Sequence, residues 1–320
     1  MNAAACPVCG HAGDAPVMTA REMMFGRGGS YRYRACPDCG TWSLLDVPAD
    51  LSAHYPQDYY SFGAGVRPYP WWDRFLRRRR AAAWFGAPCP LGRLLLARRG
   101  PTPRLRWFRR MGLDRSASVL DVGCGAGEIL RELQADGFRN LAGADPYLDA
   151  DVDHGGGLVL RKAGLDELSG AHDLVMLHHA LEHMPEPQAV LARLAALVRP
   201  GGWLLLRIPL ADSEACARYG ADWVQLDAPR HLHLFTRDAV RRLGAAHGFR
   251  LEHVEDDATP FQFWGSEQYR RGIPLRDPRS HAVAAGGLFT AAELRGWVEE
   301  TARLNAAGRG DQAAFFLRRI

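Results

Sequence analysis

With 320 residues, 47% of them hydrophobic, the chain is long enough for one large domain and a small one, each with a buried core. Its 40 basic and 36 acidic side chains leave a net charge of +4, too small a surplus to mark a nucleic-acid-binding protein, and no apolar run reaches the length of a membrane span. The opening Met1-Asn-Ala-Ala-Ala-Cys-Pro lacks the basic and then apolar order of a secretory signal, so a cytoplasmic location is expected.

Seven cysteines is an odd number, and four of them fall in two near copies, Cys6-Pro-Val-Cys9-Gly and Cys36-Pro-Asp-Cys39-Gly. Each reads as a tight knuckle whose glycine lets the backbone turn around an ion, and four thiolates offer closed tetrahedral coordination. Residues 17–24 and 30–35 alternate like two strands joined at Gly26-Arg-Gly-Gly29, the layout of a zinc ribbon over residues 1–48. A structural Zn2+ on Cys6, Cys9, Cys36 and Cys39 is expected, with rubredoxin-like iron and a redox pair as the alternatives. A closed site of this kind leaves no position for a substrate.

Residues 49–112 read as a linking segment. Its first part, 51–62, is aromatic and turn-rich, and packing between domains is the simplest reading. The run from Trp71 to Phe85 interleaves arginines with aromatics and is expected to be helical up to Gly86. From Arg74 to Arg110 no acidic residue occurs, which makes a local basic patch. A solvated helix face with its aromatics packed on the next domain accounts best for this pattern, because no long clean apolar face is present. Peripheral attachment to an anionic membrane, which would bring the chain to a lipid-linked acceptor, is the competing reading. RNA binding is weaker, since no RNA-module motif accompanies the arginines.

Val119, Leu120 and Val122 form a short buried strand, followed by a turn with Gly123, Gly125 and Gly127 and a helix starting near Glu128, with Ile129, Leu130 and Leu133 at helical spacing. Strand, glycine turn and helix N-terminus make a place where backbone approaches a nucleotide-like ligand. A dinucleotide fingerprint needs glycine where this chain has Glu128. An acid in the first helical turn suits a ligand with positive charge better than a pyrophosphate, and Asp121 adds a second carboxylate beside the turn.

Asp121-Val-Gly-Cys-Gly-Ala-Gly-Glu resembles the first motif of the class I S-adenosylmethionine (SAM) dependent methyltransferases, and the resemblance runs from about residue 113 to the C-terminus. It implies an α/β, Rossmann-like doubly wound sheet of seven strands, here behind a small N-terminal zinc ribbon. The N-terminal cysteine segment, in turn, resembles the zinc-binding segments ahead of some sugar and envelope-polysaccharide methyltransferases. A second strand ends in Asp145, 18 residues beyond Gly127 by subtraction, where an acid accepts hydrogen bonds from ribose hydroxyls; the resemblance gives Asp145 that role with SAM. Residues 158–164 follow as a third strand, with the adenine expected near 163–165.

Residues 174–177 read as a fully buried strand, with His178, His179, Glu182 and His183 just past its end. This matches the fourth-strand motif of the same family, which lines the SAM pocket; the residue types also have the composition of a metal site, without an evident independent carboxylate partner. A helix over 185–198, the turn Arg199-Pro-Gly-Gly and a fifth strand over 203–208 continue the family order. Two insertions are expected, at about 210–235 and 259–305. The first carries Pro229-Arg230-His231-Leu-His233 and resembles a segment of one branch of these enzymes. A hydroxyl acceptor must lose a proton, so His231 is the first candidate base, with His233 and His183 behind it and Arg230 alongside; the alternative is that Arg230 and His231 pin the loop. In the second, Phe261, Phe263 and Trp264 offer an acceptor wall or core. A helix over 236–247 capped by Thr236, a strand over 251–254 and a last strand over 312–317 complete the domain.

The expected activity is methyl transfer from SAM to a hydroxyl of a small-molecule or lipid-linked glycan precursor. A non-catalytic binding module and a nicotinamide-dependent dehydrogenase are the competing classes, the latter opposed by Glu128.

Overall fold

The computed structural model describes residues 5–54, 69–283 and 287–320; of the aromatic linking stretch, 55–62 lies outside them. Strands β1 (Val17–Arg21) and β2 (Ser30–Ala35) pair antiparallel across the expected glycine turn, Val17 opposite Arg34 and Arg21 opposite Ser30. β3 (Trp42–Leu44), which is too short for any alternation to announce, adds to β2. The arginine-rich segment forms three helices: α1 (Trp71–Trp84), α2 (Pro90–Arg99) and α3 (Pro103–Arg110). α2 and α3 both start on proline, where the missing N–H costs nothing, and the Cys89 and Thr102 side chains cap their first turns. Gly92 lets α2 press on α1, since a Cβ there would stand 2.1 Å from the Arg79 carbonyl oxygen.

Alternation of strand and helix follows: β4 (Val119–Val122), α4 (Glu128–Asp136), β5 (Leu141–Ala144), β6 (Val152–Asp153), β7 (Leu158–Arg161), β8 (His172–His178), α5 (Pro187–Leu197) and β9 (Val198–Pro209). Then come α6 (Glu214–Tyr219), β10 (His233–Leu234), α7 (Arg237–Ala246), β11 (Phe249–Asp256), α8 (Phe261–Arg270), α9 (Ala291–Ala306) and β12 (Gln312–Arg319). One sheet has eight strands in the order β11-β12-β9-β8-β4-β5-β7-β6, and a second has four, β1-β2-β3-β10. The fold is thus the expected Rossmann-like α/β architecture. It has one strand more than the expected seven, because the two-residue β6 pairs antiparallel on the edge strand β7.

β4 pairs in parallel with β5 on one side and with β8 on the other, so the strand order reverses at β4. In an open sheet that reversal leaves a crevice beyond the carboxyl ends of the strands, where ligands bind. All of β4 and residues 174–177 of β8 are buried, as strands covered on both faces must be.

By contacts the chain divides into two compact units, neither continuous in sequence. The first contains the ribbon, residues 179–192 and residues 206–317; the second contains the described residues from 69 to 178, residues 193–205 and residues 318–320. In the second, Phe85 and Phe108 both pack on Phe138, and the Trp84 indole donates to the Leu105 carbonyl at 2.8 Å. Arg77 reaches Asp73 at 3.1 Å and the buried Asp136 at 3.2 Å, and Arg104 pairs with Glu132. The arginine helices therefore spend aromatics and charges on α4 and its flank, while Trp71 and Trp72 stay 75% and 54% exposed. No helix among the described residues is long and apolar enough to cross a membrane.

In the first unit the ribbon and the 210–235 insertion share one core, including Tyr33, Leu44, Trp223, Leu234 and Phe263. Phe263 is thus core rather than an acceptor wall. Nearby, the Trp223 indole donates to Asp311 at 3.1 Å. Burial pushes the Asp311 carboxyl up to about 7, against the pull of that hydrogen bond. The folded state then keeps a proton that the unfolded chain releases near 3.8, so this group's contribution to stability falls as pH rises from there to about 7. Asp311→Asn keeps the acceptor and removes the titration. Thermal unfolding between pH 5 and 8 should show the wild type losing ground to this variant as pH rises, by at most about 1.4 kcal/mol per pH unit; parallel curves would contradict the assignment.

Candidate active site

The glycine turn is built by hydrogen bonds to β5 and the residue after it. Gly123 and Cys124 donate to the Ala144 carbonyl at 2.8 and 3.2 Å, and Gly125 donates to Asp145 Oδ2 at 2.9 Å. Asp145 Oδ1 takes the amide of Tyr147, also at 2.9 Å. Asp145 is 6% exposed and organises the turn, and each oxygen keeps a second lone pair for a ligand hydroxyl. Gly127 has a reason of its own: it caps α4 in the left-handed region at φ 74°, and a Cβ would meet Leu160 at 2.8 Å.

Asp121, at 2% exposure, is the electrostatic centre of this end of the sheet. Burial pushes its carboxyl up to about 8, with Arg104 opposing and Asp145 reinforcing the shift. Its Oδ1 has no hydrogen-bond partner among the described residues. A buried carboxyl that is costly to ionise alone is stabilised by an arriving cation or donor, so Asp121 fits a ligand bearing an ammonium or sulfonium. At the end of β8, His178 lies with its ring nearly parallel to Trp107, 13° between planes and 6.2 Å between centroids. Trp107 carries no sequence signal that separates it from the other aromatics of the arginine segment.

His179 goes elsewhere. It sits at φ 51° and, with Asp227 at 39°, makes up the non-glycine residues with positive φ among those described. Such conformations cost of order 1–3 kcal/mol and gather at functional sites. His179 Nε2 accepts from Arg207 at 2.7 Å, and its Nδ1 stands 3.3 Å from Glu182 Oε1. The two neighbouring histidines thus have different partners.

Glu182, His183 and His231 converge, each offering a ligand atom within 4.8 Å of the others. His183 Nδ1 donates to the Arg230 carbonyl at 2.9 Å and His231 Nδ1 to that of Gln225 at 2.7 Å, which leaves Nε2 as the lone-pair nitrogen of both rings. The rings meet edge to face at 4.7 Å. Burial pushes His231 down to about 4, with the neighbouring His183 adding to the shift, so His231 is neutral at neutral pH and holds a proton weakly. That makes it a poorer base than expected, and His183, which is only partly buried, the better candidate.

Arg230 and His233 are both bonded within the fold. The Arg230 side chain is completely buried and spent: it bonds Asp227 at 2.5 Å, Glu22 at 2.9 Å and the His54 carbonyl at 3.4 Å. Glu22 in turn takes the amides of Met24, Phe25 and Arg27. His233 lies on β10, opposite Ser43 of β3, with Nδ1 at 3.2 Å from the Ser43 hydroxyl and Nε2 at 3.0 Å from the Pro185 carbonyl. Neither has an atom left for a substrate. The expected insertion at about 210–235 contributes β10 to the ribbon sheet.

The four N-terminal cysteines form the other cluster. Their sulfurs all lie within 4.8 Å of one another, with Cys6 and Cys39 at 3.7 Å and Cys9 and Cys36 at 3.5 Å. Both knuckles close the same way, Gly10 donating to Cys6 and Gly40 to Cys36. Such a donor set fits a tetrahedral soft or borderline metal ion.

Residues 96–254 match the family described as a methyltransferase domain, and the chain carries a class I SAM-dependent methyltransferase domain. Among curated proteins it is similar to the ubiquinone biosynthesis O-methyltransferases of Bordetella avium, 34% identical over 148 residues, and of Thiobacillus denitrificans, 31% identical over 147 residues. These matches cover 41% and 42% of this chain and only 60% and 63% of the relatives. Among solved structures, a SAM-dependent methyltransferase from Mesorhizobium loti aligns at a TM-score of 0.43 and 19% identity, over 68% of this chain and 97% of that one.

Removing the Arg230 guanidinium strands Glu22 and Asp227 as buried anions. Arg230→Ala should cost about 3–5 kcal/mol in denaturant unfolding, and Arg230→Lys, which cannot reproduce the fork, should restore only part. A loss below 1 kcal/mol would return Arg230 to the list of candidate catalytic groups.

Proposed function

We propose that this chain transfers a methyl group from SAM to a hydroxyl oxygen of a small-molecule acceptor. The observation that carries the cofactor half is the cradle at the strand-order reversal, where Asp121 offers an unpartnered buried oxygen and Asp145 holds the glycine turn. When bound, SAM supplies an electrophilic methyl carbon on a positively charged sulfur. Asp145 receives the ribose hydroxyls, Asp121 the positive end of the methionine moiety, and Gly123, Gly125, Gly127 and His178 line the remainder; His179, tied to Arg207, supports the neighbouring cluster.

Displacement at carbon is in line, so alignment of acceptor and donor supplies much of the rate. The acceptor hydroxyl loses its proton at the Glu182, His183 and His231 cluster. There His183 Nε2 takes the proton, while the Arg230 carbonyl holds the other nitrogen and so sets the tautomer. The relatives named as O-methyltransferases favour oxygen as the methylated atom. For the acceptor we favour a hydroxyl of an envelope-glycan precursor, free or lipid-linked, on the resemblance of the N-terminal cysteine segment. A phenolic hydroxyl is the second reading, favoured by the relatives' names. We also assign a structural Zn2+ to Cys6, Cys9, Cys36 and Cys39, closing the ribbon.

Labelled SAM with panels of nucleotide sugars, lipid-linked saccharides and catechols tests the acceptor reading. Label in the first two supports it, label in catechols moves the assignment to the phenol, and NAD binding in place of SAM removes both. His183→Ala should lower kcat about 100-fold or more with the SAM Kd intact. Asp145→Ala should raise that Kd about tenfold or more, as loss of charge-assisted hydrogen bonds requires. An unchanged kcat in the first variant or an unchanged Kd in the second removes the corresponding role.

A further inference from the structure

We infer that the outer face of α1, with α2 packed beside it, docks on the surface of an anionic lipid bilayer. The fold divides the aromatics of the arginine segment into two sets. Trp84 and Phe85 turn inward, the first onto the Leu105 carbonyl and the second onto Phe138, whereas Trp71, Trp72 and Phe75 stay 75%, 54% and 44% exposed. Along α1, Trp71, Phe75 and Arg78 stand one turn apart in a single row; Trp72 and Arg79 flank that row on one side and Arg74 on the other, all of them exposed. The opposite face carries Asp73, Arg77 and Trp84, and there Arg77 reaches the buried Asp136. On α2, Leu91 and Leu94 are 39% and 50% exposed beside the exposed Arg93, Arg98 and Arg99.

The charge around these apolar side chains has one sign. Asp73 is the single acid in the sequence of the two helices, and Arg77 takes it at 3.1 Å. Exposed arginines elsewhere stand against carboxylates, Arg32 on Asp46, Arg241 on Asp238, Arg250 on Glu252 and Arg279 on Asp277. By contrast, Arg74, Arg78, Arg93, Arg98 and Arg99 have no ion pair among the described residues. Exposed tryptophan, phenylalanine and leucine set among uncompensated guanidiniums call for a surface that is apolar and negative at once. An anionic bilayer supplies both, because the rings settle at headgroup depth while the arginines reach up to phosphate. A second copy of the chain would bring the same positive face and repel. Single-stranded nucleic acid gains from stacked rings, and the exposed leucines offer it nothing. An acceptor carried on a lipid is met at such a surface, which favours the lipid-linked of the two glycan forms named above; the docking itself does not depend on methyl transfer.

The test is sedimentation of the full-length chain with vesicles of phosphatidylcholine alone and of equal parts phosphatidylcholine and phosphatidylglycerol. The chain should sediment with the mixed vesicles, be released in part by high salt, and stay in solution with the neutral ones. Arg74→Glu with Arg78→Glu should lower the partition about 25-fold or more, since each basic side chain at such a surface is worth about fivefold. Trp71→Ala with Trp72→Ala should lower it about tenfold or more and remove most of the tryptophan quenching by brominated phosphatidylcholine placed in the mixed vesicles. Arg241→Glu with Arg250→Glu changes the net charge equally and should leave the partition nearly unchanged. No sedimentation with the mixed vesicles overturns the proposal, as does an equal loss in the two arginine variants or an unchanged partition in the tryptophan variant. Binding of a single-stranded oligonucleotide that is lost in the α1 variants, without vesicle binding, moves the face to nucleic acid. Where a variant does not fold, as circular dichroism reports, quenching of the wild type in the mixed vesicles decides. Vesicle binding by a chain that transfers no methyl group would count against the proposed function and leave the docking face standing.

Discussion

The buried ion pair of Arg230 with Asp227 and Glu22 is the constraint on which the first unit depends. A guanidinium shut away from water is tolerable only with its donors satisfied, and here one carboxylate comes from the ribbon and the other from the loop itself, 208 and 3 residues away. Once Arg230 is placed, its carbonyl receives His183, the next carbonyl receives the Tyr33 hydroxyl at 2.8 Å, and the Leu232 amide reaches the Glu182 carbonyl, also at 2.8 Å. The ribbon, the insertion and the segment after β8 are thus held in one register. The ion pair fixes the backbone that holds His183.

The second unit rests on a different electrostatic arrangement, two carboxylates at the carboxyl ends of neighbouring strands. Asp145 is satisfied by backbone amides and works as a brace for the glycine turn. Asp121 is left incompletely bonded and hard to ionise alone. Two acids in one short stretch of sheet thereby acquire different states from their surroundings, one bonded by backbone amides and one buried and hard to ionise.

The ribbon also has a mechanical part. Thr236 caps α7 by accepting from Ala239 at 3.0 Å and donates to the Cys39 carbonyl at 2.6 Å, so the second knuckle and the helix share one hydroxyl. β10 seals the arrangement by joining the ribbon sheet. The cysteine knuckles in this position thus support the segment that carries His231.

Local pattern was enough for the longer sheet strands, the glycine turn, the cysteine knuckles and the Thr236 cap, because strand burial, positive φ and capping are decided by residues close together in the chain. The place of Asp121 on its strand, of Asp145 just past the next one, and the pairing of the four cysteines into two knuckles were legible for the same reason. The sequence could not rank Arg230, His231 and His233, since nothing local tells a buried, spent side chain from an available one. Their partners Glu22, Ser43 and Pro185 lie 208, 190 and 48 residues away. Tertiary structure alone decided that the Arg230 and His233 side chains are bonded within the fold, that His179 is tied to Arg207, and that Glu182 is buried among histidines. Burial and the exhaustion of hydrogen-bonding capacity are properties of the packed chain, and they sorted the polar residues that the sequence could only list.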